Sequence, residues 1–153
     1  MRQTSARVPA SAWTLGLISL APFYVASAVY CYGPARYGPA ALLALGAWSA
    51  AMLAYLGGIR AGLELGSDHP PRWWSLSLPL LTPFAGFGLL YGALVHRFDA
   101  VWEVSGFLVA FLLVWIWDVR DIEGPAWRPR YRTLITAGAA VALAFALEQA
   151  LSM

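Results

Sequence analysis

Few side chains in this sequence are fit for chemistry, and their spacing narrows the choice further. The 153 residues include ten basic side chains, all arginine, with eight carboxylates, two histidines and one cysteine. Arg60 and Glu64 stand one helical turn apart, at the spacing of an ion pair. Asp118 and Arg132 fall at the ends of two later apolar segments, where the threading of the chain puts them at the same depth. Arg60, Glu64, Asp118 and Arg132 are therefore the candidate binding residues, a polar cluster at one membrane face. Such a cluster suits a lipid headgroup, a quinone or a partner protein. The plainer reading is an interfacial ion pair of Arg60 and Glu64, with Arg60 snorkelling to the headgroups.

The other reactive side chains are isolated. His69 sits in the polar loop 67–71, and His96 falls on the opposite side of the membrane, so the two cannot share a metal. Cys31 alone makes neither an internal disulfide nor a thiolate cluster, and reads as a small apolar residue. There is no Ser–His–Asp arrangement, no HExxH and no phosphate loop, and Gly57-Gly58 follows no strand. No catalytic residue, metal or cofactor is expected. A net charge of +2 is too small for a nucleic-acid binder, which carries a dense basic patch.

What positions these residues is a set of apolar helices. Hydrophobic residues make up 60% and charged residues 12% of the chain, against roughly 25% charged in an ordinary soluble domain. Residues 8–35, 37–59 and 73–95 carry no charge, and each run exceeds the length a helix needs to cross a bilayer. Two further runs are interrupted only by Glu103 near the start of one and Glu148 near the end of the other. Both carboxylates are placed to reach headgroups. The expectation is an all-α integral membrane bundle, a single domain over 1–153 with five transmembrane helices at about 12–32, 38–63, 73–95, 100–118 and 132–151. A β-barrel would need alternating polarity in strands of about ten residues, and these runs are continuous. A cleaved leader is the rival reading of the first segment, since Arg2 and Arg7 precede it and Ala26-Ser27-Ala28 resembles a cleavage site. The apolar run continues past that site through Cys31, which favours a span.

Arginine placement orients the bundle. With five spans, Arg2, Arg7, Arg72, Arg120, Arg128, Arg130 and Arg132 share one side, and Arg36 and Arg97 the other. The positive-inside rule then puts the N-terminus in the cytoplasm and the C-terminus outside. Trp13, Trp73, Trp74, Trp115, Trp117 and Trp127 form an inner aromatic belt, and Tyr30, Tyr32, Tyr37, Tyr91 and Trp102 an outer one.

Small residues mark candidate packing faces. On the second helix Gly46, Ala50, Ala54, Gly58 and Gly62 recur every four residues, and on the fifth Gly138, Ala142, Ala146 and Ala150 do the same. Gly88 and Gly92 mark the third. The rows suit packing inside a monomeric bundle, with pairing of the second and fifth helices one solution and contact between copies another. Arg60 and Glu64 lie about 200° round the helix from Gly58 and Gly62. A packed stripe would turn them toward headgroups or a second helix. Pro79 and Pro83 predict a bend in the third helix. The stretch 118–132 is the most polar, and Gly124 and Pro125 stop a helix there. It reads as a topology anchor, or as a docking site for a partner.

Three stretches resemble the transmembrane protein 69 family, a bacterial and mitochondrial membrane domain of unknown function. They are residues 15–23, residues 55–65 with Leu56-Gly57-Gly58-Ile59-Arg60, and Asp118 followed by Pro125-Ala126-Trp127 and the run 130–134. Ala61 stands where that family commonly has Trp. The resemblance implies a five-helix inner-membrane protein and no established activity. The reading that follows is a non-enzymatic accessory, scaffold or assembly component of a larger membrane complex in the bacterial inner membrane. Its expected partners are the lipid bilayer and either complex subunits or a second copy. The alternatives are a small solute or ion transporter and a lipid- or quinone-binding enzyme at the cytoplasmic face.

Overall fold

The computed structural model describes residues 8–68, 70, 73–120 and 127–152. Among these there are five long α-helices and no strand: α1 Ala10–Tyr32, α2 Gly38–Leu65, α3 Trp73–Leu94, α4 Ala100–Arg120 and α5 Arg128–Ser152. The shortest, α4, has 21 residues, and at 1.5 Å per residue it still spans about 30 Å, the thickness of a hydrocarbon core. All five are long and apolar enough to cross a membrane, and the chain is built as a multi-pass membrane protein. Arg2, Arg7, His69, Arg72, Gly124 and Pro125 lie outside the described residues.

Local chemistry sets the helix ends. A 3-10 turn at Ala35–Tyr37 joins α1 to α2, and Pro39 sits in the first turn of α2, where its missing N–H is not needed. The end of α3 is wrapped by its own backbone: His96 N–H donates to the Ala93 carbonyl and Arg97 N–H to Gly92, at 3.0 and 2.8 Å. Between them His96 holds a left-handed φ of 55°, the position where such caps favour glycine. Asp99 then caps α4, its Oδ1 accepting the Trp102 N–H at 3.0 Å. Helix α5 begins at Arg128, one turn before the expected start at 132, with Pro129 in its first turn.

The helices form a ring in chain order, each beside its sequence neighbours, and α5 closes it against α1. Helices α2 and α4 also touch across the middle. Pairing of α2 with α5 does not occur among the described residues. The small row of α5 serves α1 instead. Gly138 lies against Leu20, Ser27 Oγ donates to the Ala142 carbonyl at 2.8 Å, and Cys31 Sγ reaches the Phe145 carbonyl at 3.5 Å. The offset between partners stays near 115 residues, as expected for two parallel helices. Phe23, Leu45, Leu53, Phe107 and Leu143 fill the centre with at most 1% exposure. Phe23 and Phe111 meet edge to face at 5.7 Å.

Three packing expectations are corrected. A Cβ at Gly58, Gly62 or Gly88 would meet nothing within 4 Å among the described residues, so these glycines pack against none of the described helices. Gly46 and Gly57 do so instead: a Cβ at Gly46 would strike the Glu103 carboxylate, and one at Gly57 the Thr82 hydroxyl. Gly92 lies under Phe98. Second, Tyr30 is buried rather than part of an outer belt, whereas Tyr32, Tyr91 and Trp102 are exposed. Third, Glu103 does not reach out to headgroups; it is buried against α2.

Candidate functional site

The face where α1, α3 and α5 begin carries the charged cluster. Asp118, on the last turn of α4, is buried with 3% side-chain exposure. Its Oδ2 accepts Arg132 Nε at 2.8 Å and also Nη2 of the same guanidinium. Its Oδ1 accepts Arg60 Nη1 at 3.2 Å, and Arg128 Nη2 stands 3.5 Å from the same oxygen. One carboxylate thus gathers arginines from α2 and α5 onto α4. A buried charge is tolerated only when paired and hydrogen-bonded, and Asp118 meets both conditions.

Aromatic side chains frame the cluster. The Arg60 guanidinium lies 4.3 Å from the centre of the Trp117 ring, a cation–π distance. Trp115 donates its indole N–H to Thr133 Oγ1 at 3.0 Å, and that hydroxyl donates to the Pro129 carbonyl at 2.9 Å. Tyr131 meets Trp13 and Trp127 edge to face, each at 5.9 Å.

Of the four candidate residues, the structure brings Arg60, Asp118 and Arg132 into direct contact. Glu64 is half-buried one turn further along α2. Arg60 faces the bundle because Gly58 and Gly62, on the far side of α2, face away from it. Arg128 is the member that the sequence left outside the candidate cluster, within a stretch read as a topology anchor or a docking site. Its signal was the four-residue spacing to Arg132, which places both on one face of α5 once the helix is known to start at Arg128.

Beside the cluster a groove of about 660 Å³ runs between α1, α2 and α5. Its walls are apolar, among them Leu15, Pro22, Met52 and Leu56, and Arg128 and Arg132 lie at its charged end. At the other end of the bundle, Glu103 Oε1, Tyr30 Oη and Ser49 Oγ are buried without a hydrogen-bond partner among the described residues.

Residues 8–148 match the family described as a protein of unknown function, DUF3429. No curated protein and no solved structure matches the chain. The match covers most of the sequence, and the chain belongs to that family.

Proposed function

We propose that this member of the DUF3429 family is a non-enzymatic accessory or scaffold component of a larger membrane complex, docked through the outward face of α2 by a partner transmembrane helix. The observation that carries the reading is that Gly58 and Gly62 are exposed, with nothing among the described residues within 4 Å of where a Cβ would stand. Ala44 and Ala47 continue that exposed small face along α2. Small residues gain little from facing acyl chains, but they let another backbone approach closely, which is the main source of helix adhesion in lipid. The charged cluster fits the same reading, since its ion pairs join α2, α4 and α5 into one brace.

A transporter needs a path through the middle of the bundle, and the tightly packed Phe23, Leu53, Phe107 and Leu143 favour the scaffold over it. We place the arginine-rich face in the cytoplasm of a bacterial inner membrane by the positive-inside rule. The resemblance to the transmembrane protein 69 family belongs to this reading as well.

The test is extraction from native membranes in mild detergent, followed by sizing and identification of co-purifying chains. The expected result is a stoichiometric complex that Gly58→Leu and Gly62→Leu release while the chain itself stays folded. A lone monomer, or a complex indifferent to both variants, overturns the proposal. A homo-oligomer released by them replaces the foreign partner with a second copy.

A further inference from the structure

We propose that the groove between α1, α2 and α5 binds an anionic phospholipid, its phosphate held at Arg128 and Arg132 and one acyl chain lying along the apolar walls. The site is independent of the partner face described above.

The shape of the groove argues for an amphiphile. It is apolar along its length and charged at one end only. From Leu15 to Pro22 its α1 wall runs about 10 Å along the helix axis, so it takes a chain rather than a compact solute. Trp48 lines it too, but its indole N–H is already given to the Ser19 carbonyl at 3.0 Å. That wall therefore offers an apolar ring and no donor. Leu15, Ile18 and Tyr55 are each at least 60% uncovered, so the groove opens sideways, where a lipid would enter from the bilayer.

Charge selects the headgroup. Arg60, Arg128 and Arg132 all stand on the single carboxylate of Asp118. Two of those arginines, Arg128 and Arg132, also line the groove, and no carboxylate stands among its described lining residues. Basic pockets between transmembrane helices on the arginine-rich side are the sites where anionic headgroups bind. Arg128 makes the longest of the three approaches to Asp118, 3.5 Å, and lines the groove as well. A guanidinium carries five N–H donors, so Arg128 can offer one to a phosphate and keep its other contacts, while Arg132 keeps its double contact with Asp118. A zwitterionic phosphocholine would bring its own cation against these arginines, so the site discriminates against it. Trp127 and Tyr131 flank the charged end and suit the headgroup level of a leaflet.

The experiment is thermal unfolding of the purified full chain in neutral detergent, with graded additions of dioleoyl phosphatidylglycerol or dioleoyl phosphatidylcholine. The expected result is a saturable rise in Tm with phosphatidylglycerol that phosphatidylcholine does not give. Arg128→Gln should weaken the apparent affinity about tenfold. Ala51→Trp, which fills the groove from an exposed position, should abolish the rise and leave the lipid-free Tm unchanged. Because the readout is the lipid-dependent increment, a change in basal stability of Arg128→Gln does not confuse it. Equal effects of the two lipids, or an undiminished rise in both variants, overturn the proposal. A rise with inorganic phosphate alone overturns the chain-binding part, and a rise given only by decylubiquinone reassigns the groove to a quinone.

Discussion

Arg132 on α5 places two guanidinium nitrogens on one oxygen of Asp118 on α4, leaving the other carboxylate oxygen to Arg60 and Arg128. Helices α4 and α5 are therefore joined by a buried, shared carboxylate, and the end of α2 is tied to the same point. Removing one partner of a buried pair leaves an uncompensated charge, at a cost of about 3–5 kcal/mol. Asp118→Ala is expected to reach that range, since three guanidinium groups lose their shared anion. Arg132→Ala should cost more than Arg128→Ala, whose guanidinium stands 3.5 Å away. Denaturant titration in detergent micelles reads the order. Equal, small losses for all three would show that the cluster is solvated and braces nothing.

Adjacent glycines on α2 should respond in opposite ways. A Cβ at Gly57 meets the Thr82 hydroxyl and the Pro79 carbonyl, and backbone cannot step aside. Gly57→Ala is expected to destabilise by about 1–3 kcal/mol. Gly58→Ala meets nothing among the described residues and should be neutral or stabilise by up to about 1 kcal/mol through helix propensity. Thermal unfolding of the two variants side by side decides, and the same sign for both contradicts the placement of α2.

These glycines also mark where the sequence stopped being informative. Charge-free runs were enough to place five helices, and span direction was enough to put Asp118 and Arg132 at the depth of Arg60. A row spaced by four residues is not a straight stripe, however. Each step turns about 40° past a full circle, so four steps from Gly46 to Gly62 turn about 160°. The row starts inside, against Glu103, and ends outside, over Gly58 and Gly62. Periodicity identified the small residues but not the direction they face. Burial of Glu103 was hidden for a related reason: position near a helix end permits snorkelling, and only the approach of Gly46 turns the side chain inward.

Thr82 and Pro83 are expected to be energetically coupled. Pro83 lacks the N–H that would bond the carbonyl four residues back, and Thr82 Oγ1 donates to that Pro79 carbonyl at 2.8 Å. In hydrocarbon an unsatisfied carbonyl is costly, so Thr82→Val should destabilise by about 1–2 kcal/mol. In a Pro83→Ala background the restored backbone donor should make the same change close to neutral. A double-mutant cycle measures the coupling, and additive effects would mean that the hydroxyl does not repair the helix.

His96 holds a φ of 55° at the end of α3, where a side chain is strained and glycine is not. His96→Gly is expected to raise stability by about 0.5–1 kcal/mol, and His96→Val to lower it by more, since a β-branched residue is poorly tolerated there. If His96→Gly lowers the Tm, the imidazole contributes a contact that outweighs the backbone strain.

Glu103 offers the sharpest test of the half of the bundle away from Asp118. It is 4% exposed, its Oε1 has no hydrogen-bond partner among the described residues, and that oxygen lies against the Gly46 backbone. A buried charge without a partner costs more than a neutral group of the same shape. Glu103→Gln is therefore expected to keep the fold and raise stability by about 1–3 kcal/mol. Glu103→Ala removes the same charge but empties a packed position, and should gain less or lose. The amide and the carboxylate differ little in volume, so the Gln variant isolates the charge from the packing. A loss of stability in Glu103→Gln would mean that the carboxylate is compensated, and would direct attention to a cation held between Glu103 and the neighbouring buried hydroxyl of Tyr30.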